Sequence, residues 1–192
     1  MSETTENYTP ALKKLYNEQI AGALRTEFSY GNVMQVPKLT KIVVNMGVGE
    51  GSRDAKVIQR AEEDLAIVTG QKPKRAPARI SVSAFKLRQG MPVGCYVTMR
   101  GNRMYEFLER LVSIAIPRVR DFRGFSPKSF DGRGNYNFGL KDHQIFIELD
   151  SARDLLTFGM NVTVVTTAKT DDECKALLSG FGFPLRSQEQ KN

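Results

Sequence analysis

The chain has 192 residues, of which 41% are hydrophobic and 26% charged, and its formal net charge is +7. This length and composition are typical of a globular protein with its own core rather than of a disordered chain. The excess of basic residues favours an anionic partner, and the sequence shows no apolar run of the roughly 18 residues that a membrane span needs. Residues 1–7 are polar and the two cysteines are far apart in sequence, so we expect a reduced, cytoplasmic protein without a signal peptide.

The first part of the chain reads as helix, strand and helix. A first helix is predicted from Thr9 as N-cap, with proline at its first position, to about Glu27. A strand follows over residues 39–46, where polar and apolar side chains separate by parity. Ser52 is predicted to cap a second helix, which Gly70 closes.

The middle of the chain is less regular. Residues 71–84 contain prolines and basic residues without apolar periodicity, which predicts a long loop or the tip of a hairpin. Strands are predicted over residues 84–88 and 94–100. Asn102 is then a candidate cap for a third helix, which Pro117 ends.

The last third begins with an irregular stretch, residues 118–139, in which arginine, glycine and phenylalanine alternate. Such a stretch suits phosphate binding, or a loop packed by its own phenylalanines. Strands are predicted over residues 145–149 and 162–168. Residues 170–173 form a capping box that starts a last helix running through Leu178.

Helices and antiparallel strands in mixed order, without an internal repeat, predict an α+β fold. We expect one domain over residues 8–186, with flexible tails at 1–7 and 187–192. The predicted sheet packs helices on one face and leaves the other open, as antiparallel sheets often do. The apolar set of strand positions belongs to the covered face: Ile42, Val44, Met46, Cys95, Val97 and Met99. The polar set belongs to the open face: Lys41, Asn45, Tyr96, Thr98 and Arg100.

The open face carries the chemistry that RNA recognition needs. Cations contact phosphates, hydroxyl and amide groups bond to sugars, and an aromatic ring stacks on a base. The alternative is an ordinary solvated sheet face.

One long segment supports the RNA hypothesis, because residues 65–105 contain no Asp or Glu. Carboxylates would repel phosphate and neutralise nearby cations, so an acid-free basic segment suits a polyanion. The segment carries eight cations: Lys72, Lys74, Arg75, Arg79, Lys86, Arg88, Arg100 and Arg103.

The sequence supports a catalytic site less strongly than it supports RNA binding. The glycines of residues 47–51 stand between a strand and a helix, as in a phosphate-binding loop, but their spacing fits a structural turn better. His143 beside Asp142 resembles a catalytic pair, yet neighbours on a strand point to opposite faces. Cys174 lies near a helix start and is therefore a candidate for a lowered pKa. The simpler interpretation is that Cys174 and Cys95 are both small buried residues.

Six motifs, in order, resemble the family of the bacterial-type large ribosomal subunit protein five, which binds 5S rRNA. They are VMQVPKLTKIVVNMGVGEG (33–51), TGQKP (69–73), FKLRQGMPVGCYVTMRG (85–101), RMYEFLERLVSIAIPRVRDFRG (103–124), SFDGRGNYNFG (129–139) and VTTAKTDDE (165–173). Together they cover most of residues 8–186. Two family patterns differ here: the loop over residues 77–81 lacks two lysines, and IFIELD (145–150) lacks a proline.

The resemblance implies an α+β fold in the central protuberance, in contact with 5S rRNA, large-subunit rRNA and neighbouring proteins. It also implies an intersubunit bridge to a small-subunit head protein. Asn45, Gln71 and Thr98 match family positions that touch 5S rRNA. A loop at about residues 72–85 matches the segment that contacts P-site tRNA, which gives four candidate residues: Lys72, Lys74, Arg75 and Arg79.

We thus predict a structural RNA-binding protein of the large ribosomal subunit, without catalytic residues, metal, cofactor or small-molecule substrate. For 5S rRNA the candidate residues are Lys41, Asn45, Gln71, Tyr96, Thr98 and Arg100. Two alternatives stay open at this point. One is a nucleotide-dependent enzyme using the glycines of residues 47–51, and the other is a tRNA- or DNA-binding accessory protein off the ribosome.

Overall fold

A computed structural model describes residues 8–49, 54–149 and 157–186. The predicted tails, the Ser52 cap and the end of the 47–51 glycine motif lie outside these residues. Among the helices that are described, none has both the length and the apolar character that crossing a membrane requires.

Within the described residues, four helices are longer than one turn. Helix α1 covers residues 11–27 as Ala11–Leu15, a π-helical turn Tyr16–Ile20, and Ala21–Glu27. Helix α2 is Ala55–Thr69, and helix α4 is Asp171–Gly180. Helix α3 covers residues 101–118 as Gly101–Arg110, a π-helical turn Leu111–Ala115, and a 3-10 turn Ile116–Arg118.

Five strands of the described chain form one antiparallel sheet, which confirms the predicted α+β class. They are β1 Leu39–Gly47, β2 Lys74–Pro77, β3 Pro92–Met99, β4 Tyr136–Leu140 and β5 Met160–Thr166. The order across the sheet is β2-β3-β1-β5-β4.

The chain divides into two compact units, each built from separate stretches of sequence. Of the described residues, the first unit comprises 8–42, 100–136 and 164–186, and the second comprises 43–49, 54–99, 137–149 and 157–163. The units therefore differ from a simple division into N- and C-terminal halves.

The first unit is held together by helices α1, α3 and α4 around aromatic side chains. The ring of Phe181, just after α4, lies 6.1 Å from those of both Tyr16 and Tyr105, which come from α1 and α3. A second cluster joins Phe125 and Phe183, stacked at 4.9 Å, to further rings around them. Such aromatic contacts supply much of the buried area in a small core.

The second unit packs helix α2 against strand β3. The apolar stripe of α2 is buried, as are the inward residues of β3 and of the adjoining part of β1. These side chains are Ile58, Ala61, Leu65 and Val68 from the helix and Val44, Met46, Cys95, Val97 and Met99 from the strands. The covered face predicted from parity is confirmed.

Helix ends agree with the sequence where the capping signal is local. Gly70 closes α2 in the left-handed conformation, with φ of 64°. Thr170 and Glu173 form the predicted capping box. Pro10 rather than Thr9 is the N-cap of α1, and Asp54 caps α2 through a 2.9 Å bond from the Lys56 amide.

Arg100 takes the N-cap position of α3, so the Asn102 prediction is wrong. The Asn102 side chain instead accepts a 2.8 Å bond from Lys13 and donates to the Tyr8 carbonyl. Because Gly101 already begins the helix, Asn102 lies inside its first turn.

Two predicted strands are absent, and two observed strands, β2 and β4, were missed. Residues 84–88 form a 3-10 turn, Ser83–Phe85, and a single bridge rather than a strand. Residues 145–149 are turns, with Phe146 bonded to the carbonyl of His143 three residues earlier. Strand β4 lies in the stretch predicted to be irregular, where buried and exposed residues alternate over residues 136–140.

Candidate nucleic-acid interface

The open face of the second unit is formed by the outward side chains of β1 and β3. Asn45 is exposed, whereas Tyr96 and Thr98 are half-buried and alternate with fully buried neighbours. The Val48 amide bonds to the Val93 carbonyl at 2.9 Å, where the end of β1 meets the start of β3. Asn45 lies three residues before Val48, and Tyr96 lies three residues after Val93. Because the two strands are antiparallel, Asn45 and Tyr96 therefore occupy neighbouring positions.

Lys74 also belongs to this face, which corrects its assignment to the loop. Residues 74–77 form the edge strand β2, and Lys74 pairs directly with Tyr96. Paired residues of adjacent strands share a face. The exposed ammonium of Lys74 therefore lies beside Tyr96 on the open face.

Arg75 points the other way and is not a loop residue either. It pairs with buried Cys95, on the side covered by helix α2. Its guanidinium binds the carboxylate of Glu62 in α2, with 2.9 Å between Nη2 and Oε2. The hydrogen bonds from Arg75 to Glu62 raise the pKa of Arg75. This arginine fastens the edge strand to the helix.

Gln71 is half-buried one residue after the C-terminal cap of α2. Its position depends on Thr69, a buried residue that the sequence analysis did not single out. The Thr69 hydroxyl donates to the Leu65 carbonyl at 2.7 Å and lies 3.3 Å from the Gln71 carbonyl. The spacing of a hydroxyl residue just before a C-terminal glycine is the signal that could have identified it.

Two candidate residues belong to the first unit. Lys41 is half-buried in β1 and has the same parity as Asn45. Arg100 is exposed, with extended backbone, at the N-cap of α3 rather than within a strand. The structure thus supports Lys41 as a strand residue and moves Arg100 to the helix start.

The loop between β2 and β3, residues 78–91, extends the hairpin. The amide of Ala78 bonds to the Met91 carbonyl at 2.8 Å, and Val82 and Leu87 form a bridge further out. Arg79 is exposed within it, and Lys72 is exposed before β2. Of the four predicted loop cations, only Arg79 therefore lies in this loop.

Two carboxylates, those of Asp131 and Asp171, bind the main chain of the arginine-rich stretch. The Asp131 carboxylate accepts bonds from the amides of Arg133 and Asn135, and the Asn135 side chain lowers the pKa of that carboxyl. Asp171 accepts from the amides of Gly132 and Gly134 at 3.2 and 3.1 Å. Both carboxylates therefore accept bonds from main-chain amides of this stretch.

Gly134 shows why this turn needs glycine. Its φ is 74°, and a Cβ there would lie 2.6 Å from the Ala168 carbonyl oxygen. Phe122 packs on Phe125, but Phe125 also stacks on Phe183 outside this stretch, so the interpretation as a loop packed by its own phenylalanines is confirmed only in part.

His143 has a structural environment. It is 3% exposed, and its Nδ1 accepts a bond from the Phe158 amide at 3.1 Å. This leaves Nε2 to donate to the buried Asp64 carboxylate, 3.2 Å away, whereas Asp142 is 3.8 Å from Nδ1. The ring ties three segments of the second unit together.

Neither cysteine is activated. Both side chains are fully buried. Burial raises the pKa of Cys95 to about 11 and that of Cys174 to about 12. The candidate lowered pKa at Cys174 is therefore wrong, because desolvation disfavours the thiolate more than the helix start favours it.

Comparison with known proteins covers nearly the whole chain. The family model described as ribosomal protein L5 matches residues 32–88, and the model for the C-terminus of the same ribosomal family matches residues 92–185. The large ribosomal subunit protein uL5 of Streptomyces griseus is 58% identical over 182 residues, which are 95% of this chain and 98% of the relative.

Proposed function

Because this chain belongs to the ribosomal protein L5 family, it is a non-catalytic, rRNA-binding constituent of the large subunit of the cytoplasmic ribosome, and we propose that its open sheet face holds 5S rRNA. The observation that carries the proposal is the row of polar side chains on neighbouring strands: Lys74, Tyr96, Thr98 and Asn45. An ammonium, a phenol, a hydroxyl and an amide suit phosphates, 2′-hydroxyls and base edges.

Residues around this row complete the proposed contact. Gln71 extends it from the end of α2, where Thr69 fixes its main chain. Lys41 and Arg100 belong to the first unit and are proposed as phosphate contacts in their own right. Arg75 is left out, because Glu62 already holds its guanidinium.

Three further roles belong to the proposal through the family. The protein attaches 5S rRNA in the central protuberance, beside large-subunit rRNA and neighbouring proteins. It forms an intersubunit bridge with a small-subunit head protein. It contacts P-site tRNA through loop 78–91, whose exposed Arg79 and acid-free sequence support an anionic partner.

The direct test measures the binding of full-length protein to 5S rRNA and to an unrelated RNA of equal length. We expect tighter binding to 5S rRNA and strong salt sensitivity. Lys41→Ala and Arg100→Ala should each lower the slope of log affinity against log salt by about one. Equal affinity for the two RNAs would refute the proposal.

Sedimentation distinguishes the ribosomal role from an accessory role off the ribosome. We expect the protein to stay with large subunits after a salt wash. Complete release into the supernatant, with tRNA or DNA binding retained, would favour the accessory role instead.

A further inference from the structure

Phe85 has an exposure that folding does not explain. Its side chain is 71% exposed, and it is the only exposed residue among the chain's eleven phenylalanines, all of which the structure describes. Large aromatic side chains are ordinarily buried or bound to a partner. The ring stands at the tip of loop 78–91, in the 3-10 turn Ser83–Phe85.

The exposure is not the result of a loose loop. Val82 and Leu87 exchange main-chain bonds of 3.0 and 3.1 Å, and the Phe85 amide bonds back to the Val82 carbonyl at 3.3 Å. The Gln89 amide donates to the Ser81 hydroxyl at 2.9 Å. A closed network of bonds thus presents the ring outward before any partner arrives, which lowers the entropic cost of binding.

The charges around the ring indicate what it contacts. Arg79, Lys86 and Arg88 are all exposed in the same loop, and no acidic residue occurs over residues 65–105. A purely apolar protein partner would gain nothing from three nearby cations. A nucleotide supplies both a flat ring for the phenylalanine and phosphates for the cations.

We propose that Phe85 stacks on an exposed nucleobase of the tRNA, while Arg79, Lys86 and Arg88 hold the adjacent phosphates. This inference rests on the proposed tRNA contact and adds to it a stacking component that salt does not screen. Bases stack on aromatic rings irrespective of sequence, so one ring serves every tRNA.

The test measures the release rate of labelled tRNA from the P site of ribosomes that carry full-length variants, over a series of salt concentrations. Phe85→Ala should speed release about tenfold at every salt concentration, since one lost stacking contact is typically a factor of this order. Phe85→Trp should release as slowly as the parent. Met34→Ala is the matched control, because Met34 is 79% exposed and lies in the first unit, outside the loop.

Two variants separate stacking from other contacts. Removing the three cations together should speed release most at low salt, with an effect that shrinks as salt rises. If Phe85→Ala releases at the parent rate while the charge variant is faster, stacking is refuted and the tRNA contact stands. If both release at the parent rate, the tRNA contact is refuted as well. Parent behaviour of Phe85→Leu would indicate a simple apolar contact and would also overturn stacking.

Discussion

The strand part and the loop part of the acid-free segment both contain cations and no Asp or Glu, but they place their cations differently. In β2, Lys74 and Arg75 are neighbours in sequence, and pairing with β3 sends them to opposite faces. The guanidinium of Arg75 binds Glu62 of helix α2, and Lys74 stays on the open face. In loop 78–91, Arg79, Lys86 and Arg88 are all exposed.

The difference shows that absence of acid defines a region of sequence rather than one surface. Pairing and packing decide which cations of a strand remain available, whereas a hairpin tip exposes all of its cations. We therefore assign the strand part to one RNA and the loop part to another. Three sets of variants test this assignment, in order of decreasing expected effect.

The largest expected effect is on folding stability, because we expect the strand part to be packed more tightly than the loop part. A Cβ at Gly94, in β3, would collide with the main-chain carbonyl oxygen of Met46. We expect Gly94→Ala to lower the free energy of unfolding by about 3 kcal/mol, because neighbouring strands would have to move apart. Gly90→Ala, in the loop, meets no atom within 4 Å and has only the strain of a φ of 86°, about 1 kcal/mol.

Thermal or denaturant unfolding of both variants measures this contrast. Gly47→Ala is the control, since a Cβ there has nothing within 4 Å and no left-handed backbone. Equal losses for Gly94→Ala and Gly90→Ala would show that the strand part is no more tightly packed than the loop.

A smaller effect is expected on RNA binding, and it tests whether the strand part and the loop part contact different RNAs. Lys74→Ala should lower the salt slope of 5S rRNA binding by about one and leave tRNA release unchanged. Arg79→Ala should do the reverse, since it lies in the loop. Salt titrations of both variants against both RNAs test the assignment, and a tRNA defect in Lys74→Ala would return that residue to the loop surface.

The smallest effect concerns Arg75. Its guanidinium is mostly exposed and bonded to Glu62, so Arg75→Ala should change the free energy of unfolding little, less than either glycine variant. The salt slope of 5S rRNA binding should stay that of the parent. A drop of about one, equal to that of Lys74→Ala, would place both residues against RNA and remove the distinction between the faces of β2.

Sequence patterns predicted the parts of the fold that local rules determine. The left-handed cap at Gly70 and the capping box at Thr170 each depend on a few neighbouring residues, and both were found. Strict alternation also identified the buried faces of β1 and β3.

Elements that depend on distant partners were not predictable. Residues 74–77 read Lys-Arg-Ala-Pro, without apolar alternation, and are a strand because β3 supplies an edge to pair with. Ile145 and Phe146 are apolar neighbours that are both buried, in turns rather than in a strand. Tertiary packing decided these cases.

The candidate site likewise contains residues that local patterns predicted and residues whose positions depend on distant partners. Parity placed Asn45, Tyr96 and Thr98 on the open face, because alternation is a property of the strand itself. The side of Lys74 depends on pairing with Tyr96, which sequence does not reveal. Phe85 was not singled out, since an apolar residue is ordinarily expected to be buried.

The central claim is that the open face of β1 and β3 binds 5S rRNA, and Thr98→Val tests it most directly. The substitution keeps the shape and β-branching of a half-buried strand residue and removes only its hydroxyl. The measurement is the affinity of the full-length protein for 5S rRNA, with the melting temperature recorded in parallel. We predict roughly a tenfold loss of affinity, the effect of one hydrogen bond, at an unchanged melting temperature. Parent affinity, or a large loss of thermal stability in its place, would contradict the account.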